Sequence, residues 1–172
     1  MRKFLDRLYL TAGVLAGVCI ALITLIILTQ IVARWFGVII PSTEDFSGFL
    51  LASASFLALA YTFRGGGHIR VSLLIHRMHG AARRGFELFA LAVITAMIGY
   101  FAWHLVLLVI ESWHFGELSQ GYIAVPIWIP QAPMGLGLVI FFIALVDDLI
   151  QLLQGGTPDY LKHESLSTGS NK

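Results

Sequence analysis

The sequence predicts an all-α membrane protein with four transmembrane helices and an amphipathic interfacial helix between the second and third. Three observations carry this. Of 172 residues, 58% are hydrophobic and 12% charged, half the charge of a typical soluble domain. Four stretches, 8–33, 46–63, 88–110 and 118–146, contain no Asp, Glu, Lys or Arg. Each is close to or above the roughly 20 residues that cross a hydrocarbon core. Finally, the basic residues between the stretches alternate. Arg2, Lys3 and Arg7 come first, then Arg34 alone, then Arg64, Arg70, Arg77, Arg83 and Arg84, then none, then Lys162 and Lys172. The positive-inside rule places both termini and the second loop in the cytoplasm.

The expected layout is a four-helix transmembrane domain over 1–154, with spans at about 8–33, 43–63, 86–110 and 130–153. An interfacial helix at about 70–79 and a polar cytoplasmic tail over 155–172 complete it. The charges, 11 basic against 10 acidic, lack the basic excess of a nucleic-acid binder. A single cysteine, Cys19, excludes an intrachain disulfide framework and fits inert packing.

In the first span, Gly13, Gly17 and Ala21 form a small-residue row that lets helix backbones approach. After Pro41, Ser42 is placed to cap the second helix, with Asp45 in position to return the bond. Glu44 and Asp45 also suit the positive end of the helix dipole. Alternatively, one of them pairs with Arg34, the only outer cation. The second span is rich in small residues, including Gly48, Ala52, Ser53, Ala54 and Ser55, and is expected to be the most enclosed.

Gly65, Gly66 and Gly67 read as a flexible turn after that helix. No strand precedes them and no Lys-Ser/Thr pair follows, against a phosphate loop. Val71, Leu74, Ile75 and Met78 then fall at i, i+3, i+4 and i+7, the spacing of a helix lying on the inner membrane surface. A helix docked on a partner protein has the same pattern.

In the interior of the third span the one ionisable residue is His104. An ionisable group at membrane depth is a functional candidate, but its position toward the outer end favours a structural role. Trp113, His114, Glu117 and Tyr122 follow in an outer loop suited to the headgroup region. Pro126, Pro130 and Pro133 precede or open the fourth helix, which starts within 127–134. Asp147 and Asp148 near its inner end oppose the helix dipole. They therefore call for cationic neighbours such as Arg83 or Arg84.

Chemistry of its own is not legible. There is no nucleophile elbow, zinc-protease helix or Walker loop, so no catalytic residue is assigned. Paired histidines for a membrane haem are missing. His68, His76 and His79 sit beside arginines that disfavour a metal, and no cofactor is expected. The four charge-free stretches leave no intramembrane Asp, Glu, Lys or Arg to line a transport path, and they show no inverted repeat. The residues alone thus describe a subunit of something larger.

Several features together resemble the small membrane subunit of the tripartite ATP-independent periplasmic (TRAP) transporters. They are the basic first helix ending at Arg34, Glu44-Asp45 opening the second, the turn Arg64-Gly65-Gly66-Gly67-His68-Ile69-Arg70-Val71, and the proline-rich entry from Pro126 to Pro133. The resemblance implies a multi-pass protein of the bacterial inner membrane. It implies a non-catalytic subunit of an ion-gradient-driven, sodium-coupled uptake system for organic acids. Its partners would be a large transmembrane transport subunit and a periplasmic solute-binding protein, with the small subunit acting as a scaffold. Arg34, Glu44, Asp45, His68 and Arg70 are then the candidate interface residues, against purely internal folding roles. Two other readings stay open: the membrane anchor of a redox enzyme, or a small carrier or channel self-assembled through Gly13 and Gly17.

Overall fold

A computed structural model describes residues 2–64 and 81–154. Among the described residues there are four helices: α1 (Arg2–Trp35), α2 (Thr43–Arg64), α3 (Ala81–Phe115) and α4 (Trp128–Leu153). All four are long and apolar enough to cross a membrane. Among the described residues there is no strand, only an isolated bridge between Leu118 and Pro126. The interfacial helix expected at 70–79 and the tail at 155–172 lie outside the described residues.

The C-terminal ends of α1 and α3 stop by the same device. Gly37 and Gly116 adopt φ of +72° and +64°, a conformation that costs a residue with a Cβ. Their amides donate to Arg34 and Trp113, and the next amides, of Val38 and Glu117, donate to Ala33 and Ser112. These paired bonds use up carbonyls that the helix end leaves without a partner. In a bilayer that economy matters, because lipid offers no hydrogen bonds.

The helices pack in the order α1, α2, α4, α3. This is a row in which only the two middle members have a neighbour on each side. The α1 seam is Tyr9, Ala12, Ala16 and Cys19, spaced three and four apart; Ala16 and Cys19 pack with Ala54, Leu57 and Ala58 of α2. Along α3, Leu91, Thr95, Ile98, Ala102, Leu105, Val109 and Ser112 repeat the spacing. It keeps one stripe facing a near-parallel neighbour. That neighbour is α4, where a Cβ on Gly135 would rest 3.7 Å from Val109.

Two expectations are corrected here. The most enclosed of the described helices is α4, with ten of its 26 residues buried against six of the 21 from Thr43 to Phe63 in α2. The small residues of α2 are divided between faces: Ser53, Ala54 and Ala60 are buried, while Gly48 and Ser55 are exposed. Small size permits enclosure on one face and does not demand it on the other. The glycine row of α1 is divided too. Gly13 lies under the Tyr61 ring, whereas nothing comes within 4 Å of a Cβ on Gly17. Gly13 is therefore used within this chain, and the working seam is one position away from the glycine row.

Candidate functional interface

The end of the bundle where α1 and α3 finish is built by two loops that hold each other. Ser42, at the entry to α2, has φ of +59°. Its hydroxyl accepts the amide of Ile123 in the α3–α4 loop at 3.0 Å. The expected cap is thereby corrected: the Ser42 oxygen ties two loops together, leaving its carbonyl to accept the Phe46 amide. Asp45 faces the same loop, its carboxylate lying 2.5 Å from where a Cβ on Gly121 would be. A side chain there would displace it, so Gly121 and Asp45 are sterically matched. Within the α3–α4 loop, Ser112 donates to Glu117 at 3.0 Å. The Ser119 hydroxyl accepts the Val125 amide at 3.0 Å. Trp113 and Trp128 bring their rings to 6.3 Å, at the level where aromatic side chains suit the headgroup region.

Arg34 ends α1 with its side chain exposed, and Glu44 is exposed in the first turn of α2. Among the described residues Arg34 forms no ion pair with Glu44 or Asp45, which corrects the alternative pairing. Glu44 and Asp45 share one helix start, and Arg34 stands apart from them. His68 and Arg70 lie outside the described residues. Beside this end is an apolar hollow of about 310 Å³, lined by Leu25, Ile26, Thr29, Ile40, Pro41 and neighbours. Its walls suit hydrocarbon rather than a charged solute.

The opposite end of the bundle, where α2 and α4 finish, buries polar groups that the charge map did not rank as a site. Asp148 is 3% exposed, and Glu87, Gln151 and Tyr9 are buried as well. Gln151 donates to Asp147 at 3.0 Å. Tyr9 is close enough to Asp147 and Asp148 for their charges to act on its hydroxyl. A signal for this was present: Asp148 continues the row Phe141, Ala144, Leu145, and Glu87 lies one turn before Leu91. Both therefore point into the seams. Arg83 and Arg84, expected to face Asp147 and Asp148, fall in the first turn of α3, and their side chains lie outside the description.

His104 is placed differently from expectation. On α3 it lies between Gly99, which packs under Phe142, and Val109, which meets Gly135. That is the height at which α2 and α4 cross, Gly137 against Phe56. It is about two helical turns or more from each end of the α2 span. His104 is exposed and lies eleven residues before α3 ends at Phe115, its ring 4.4 Å from that of Tyr100.

The arrangement has the features of a membrane subunit with helix faces left open. Among the described residues, no group of three His, Cys, Asp or Glu is placed to hold a metal. Residues 23–155, most of the chain, match the family model described as "Tripartite ATP-independent periplasmic transporters, DctQ component". The chain belongs to the DctQ family. No curated protein and no solved structure matches it. A DctQ component is one part of a three-part transporter, and the four apolar helices make this one a multi-pass membrane protein. The match runs from the outer half of α1 through both outer loops to the inner end of α4. The loop-to-loop bond from Ser42 and the α2–α4 crossing both fall inside it.

Proposed function

We propose that this DctQ protein is the non-catalytic scaffold of an ion-gradient-driven, sodium-coupled uptake system for organic acids. It braces a large transmembrane transport subunit in the bacterial inner membrane, with both termini in the cytoplasm. The observation that carries the reading is the open row of helices. Among the described residues, α1 buries only Tyr9, Ala12 and Ala16, and α3 only Glu87, Leu91, Thr95, Ala102 and Ser112. A stand-alone carrier needs enclosed polar groups along a path. A row with two broad apolar outer faces instead offers a stationary surface against which a moving partner can work. The charge alternation supports the orientation.

In this reading residues 1–154 form the membrane domain and 155–172 a cytoplasmic tail. Arg34 and Glu44, both exposed, and Asp45 beside the α3–α4 loop present the outer end to the large subunit and to the periplasmic solute-binding protein. His68 and Arg70 serve the inner side. The test is extraction of the tagged chain from its native membrane in mild detergent. Equal amounts of a large polytopic protein should co-purify, and uptake should require both chains. A chain that comes out alone, or that catalyses uptake alone after reconstitution, overturns the reading.

A further inference from the structure

The exposed faces of α1 and α3 differ in what they ask of their surroundings. On α1 the exposed hydroxyls of Thr11, Thr24 and Thr29 bond to the carbonyls of Leu8, Ile20 and Leu25 at 2.8, 3.1 and 2.8 Å. A threonine that bonds back to its own helix presents only a methyl group to lipid. The α1 face is therefore suited to hydrocarbon as it stands. On α3 the side away from α4 carries Tyr100, 64% exposed, and His104 one turn later. Trp103, also exposed, lies beside them. Here neither the Tyr100 phenol nor the His104 imidazole bonds back to its own helix backbone as the threonines do. Among the described residues, His104 and Tyr100 touch each other through their rings and form no hydrogen bond.

We propose that this face of α3, centred on Tyr100 and His104, is the surface covered by the large membrane subunit. A transmembrane helix of that subunit supplies the hydrogen-bonding group that the His104 ring takes up. The inference rests on the scaffold reading above, which provides the partner. What it adds is the face, selected by depth and chemistry. Hydrocarbon cannot satisfy an imidazole, water does not reach this depth, and intramembrane polar groups turn toward protein. Neutral imidazole offers one donor and one acceptor, so one polar side chain or a freed carbonyl on the partner is enough. Phe89, Val93 and Leu107 on the same side give that helix an apolar bed.

The experiment places a photo-activated cross-linking amino acid at Leu107, on the α3 face, or at Val18, on the exposed side of α1. It is done in cells that also produce the tagged large subunit and the solute-binding protein. Leu107 should give an adduct with the large subunit, and Val18 should give far less. An adduct only from Val18, equal yields from both, or an adduct of Leu107 with a second copy of this chain would overturn the proposal. If the two proteins co-purify but Leu107 gives no adduct, the face is wrong and the scaffold reading survives. If they do not co-purify, the scaffold reading itself fails. The hydrogen bond has its own readout. His104→Leu should lower complex yield about three- to ten-fold, the range for one interhelical hydrogen bond in a bilayer. His104→Gln should recover most of it, and melting of the isolated chain should not move. Undiminished yield with His104→Leu removes the bond from the proposal.

Discussion

Gly137 of α4 meets the backbone of Phe56 in α2 so closely that a Cβ at this glycine would lie 2.5 Å from the Phe56 carbonyl carbon. The obstacle is main chain, so no rotamer change can make room. Gly137→Ala must push two parallel helices apart at the centre of the row. Overpacking of this kind costs about 1–3 kcal/mol, and the upper half of that range is expected. Thermal melting of the purified chain in detergent measures it. An unchanged melting temperature would show that the crossing is looser than the structure has it.

The two glycines of α1 should separate in the same assay. A Cβ on Gly13 would sit 2.8 Å from the Tyr61 ring, and one on Gly17 would meet nothing within 4 Å. The Tyr61 atoms in the way are Cγ and, at 3.2 Å, Cβ, the base of the side chain rather than its free tip, so Gly13→Ala should cost about 1–3 kcal/mol. Gly17→Ala should be neutral or stabilising by up to about 1 kcal/mol, the helix-interior preference for alanine over glycine. Equal losses at both positions would mean that the glycine row is a seam after all.

The four-helix class was legible because its causes are one-dimensional. The length of a charge-free run and the alternation of arginines are properties of the string, and the bilayer imposes them on every such chain. Which helices touch is a different matter. Gly48, Ser53, Ala54 and Ser55 are all small, and only two of the four are buried. Size says that a close approach is allowed, whereas the face is decided by Phe56 meeting Gly137 on another helix. The candidate outer residues were legible as helix-end chemistry. The use of Ser42 was not, because its partner Ile123 is 81 positions away. His104 was misplaced in depth because distance along the chain was counted from the end of a helix. That helix in fact continues to Phe115.

Ser42 combines a strained backbone with a useful side chain, and the two can be pulled apart. Its φ of +59° is disfavoured for any residue with a Cβ and best tolerated by Asn and Asp. Ser42→Ala keeps the strain and loses the bond to the Ile123 amide. That should cost roughly 1 kcal/mol and speed exchange of that amide about five-fold. Ser42→Asn keeps an acceptor oxygen and eases the backbone, so it should match or exceed the parent. Slower or unchanged exchange in Ser42→Ala would show that the two loops are held by something else, with Asp45 against Gly121 the next contact to test.

At the inner end, the amide of Gln151 donates to the Asp147 carboxylate across one turn of α4. A hydrogen bond to a charged group contributes about 1.5–3 kcal/mol, and half-burial of Asp147 limits competition from water. Gln151→Leu should therefore destabilise the chain by roughly 1–2 kcal/mol at neutral pH. Gln151→Glu should do more harm, because it sets two carboxylates at i and i+4, where like charges repel. Melting both variants at neutral pH separates hydrogen bonding from packing at this site. Packing alone favours Gln151→Glu, which keeps the size and shape of the parent side chain, so a Gln151→Glu variant that melts closer to the parent than Gln151→Leu would assign Gln151 to packing.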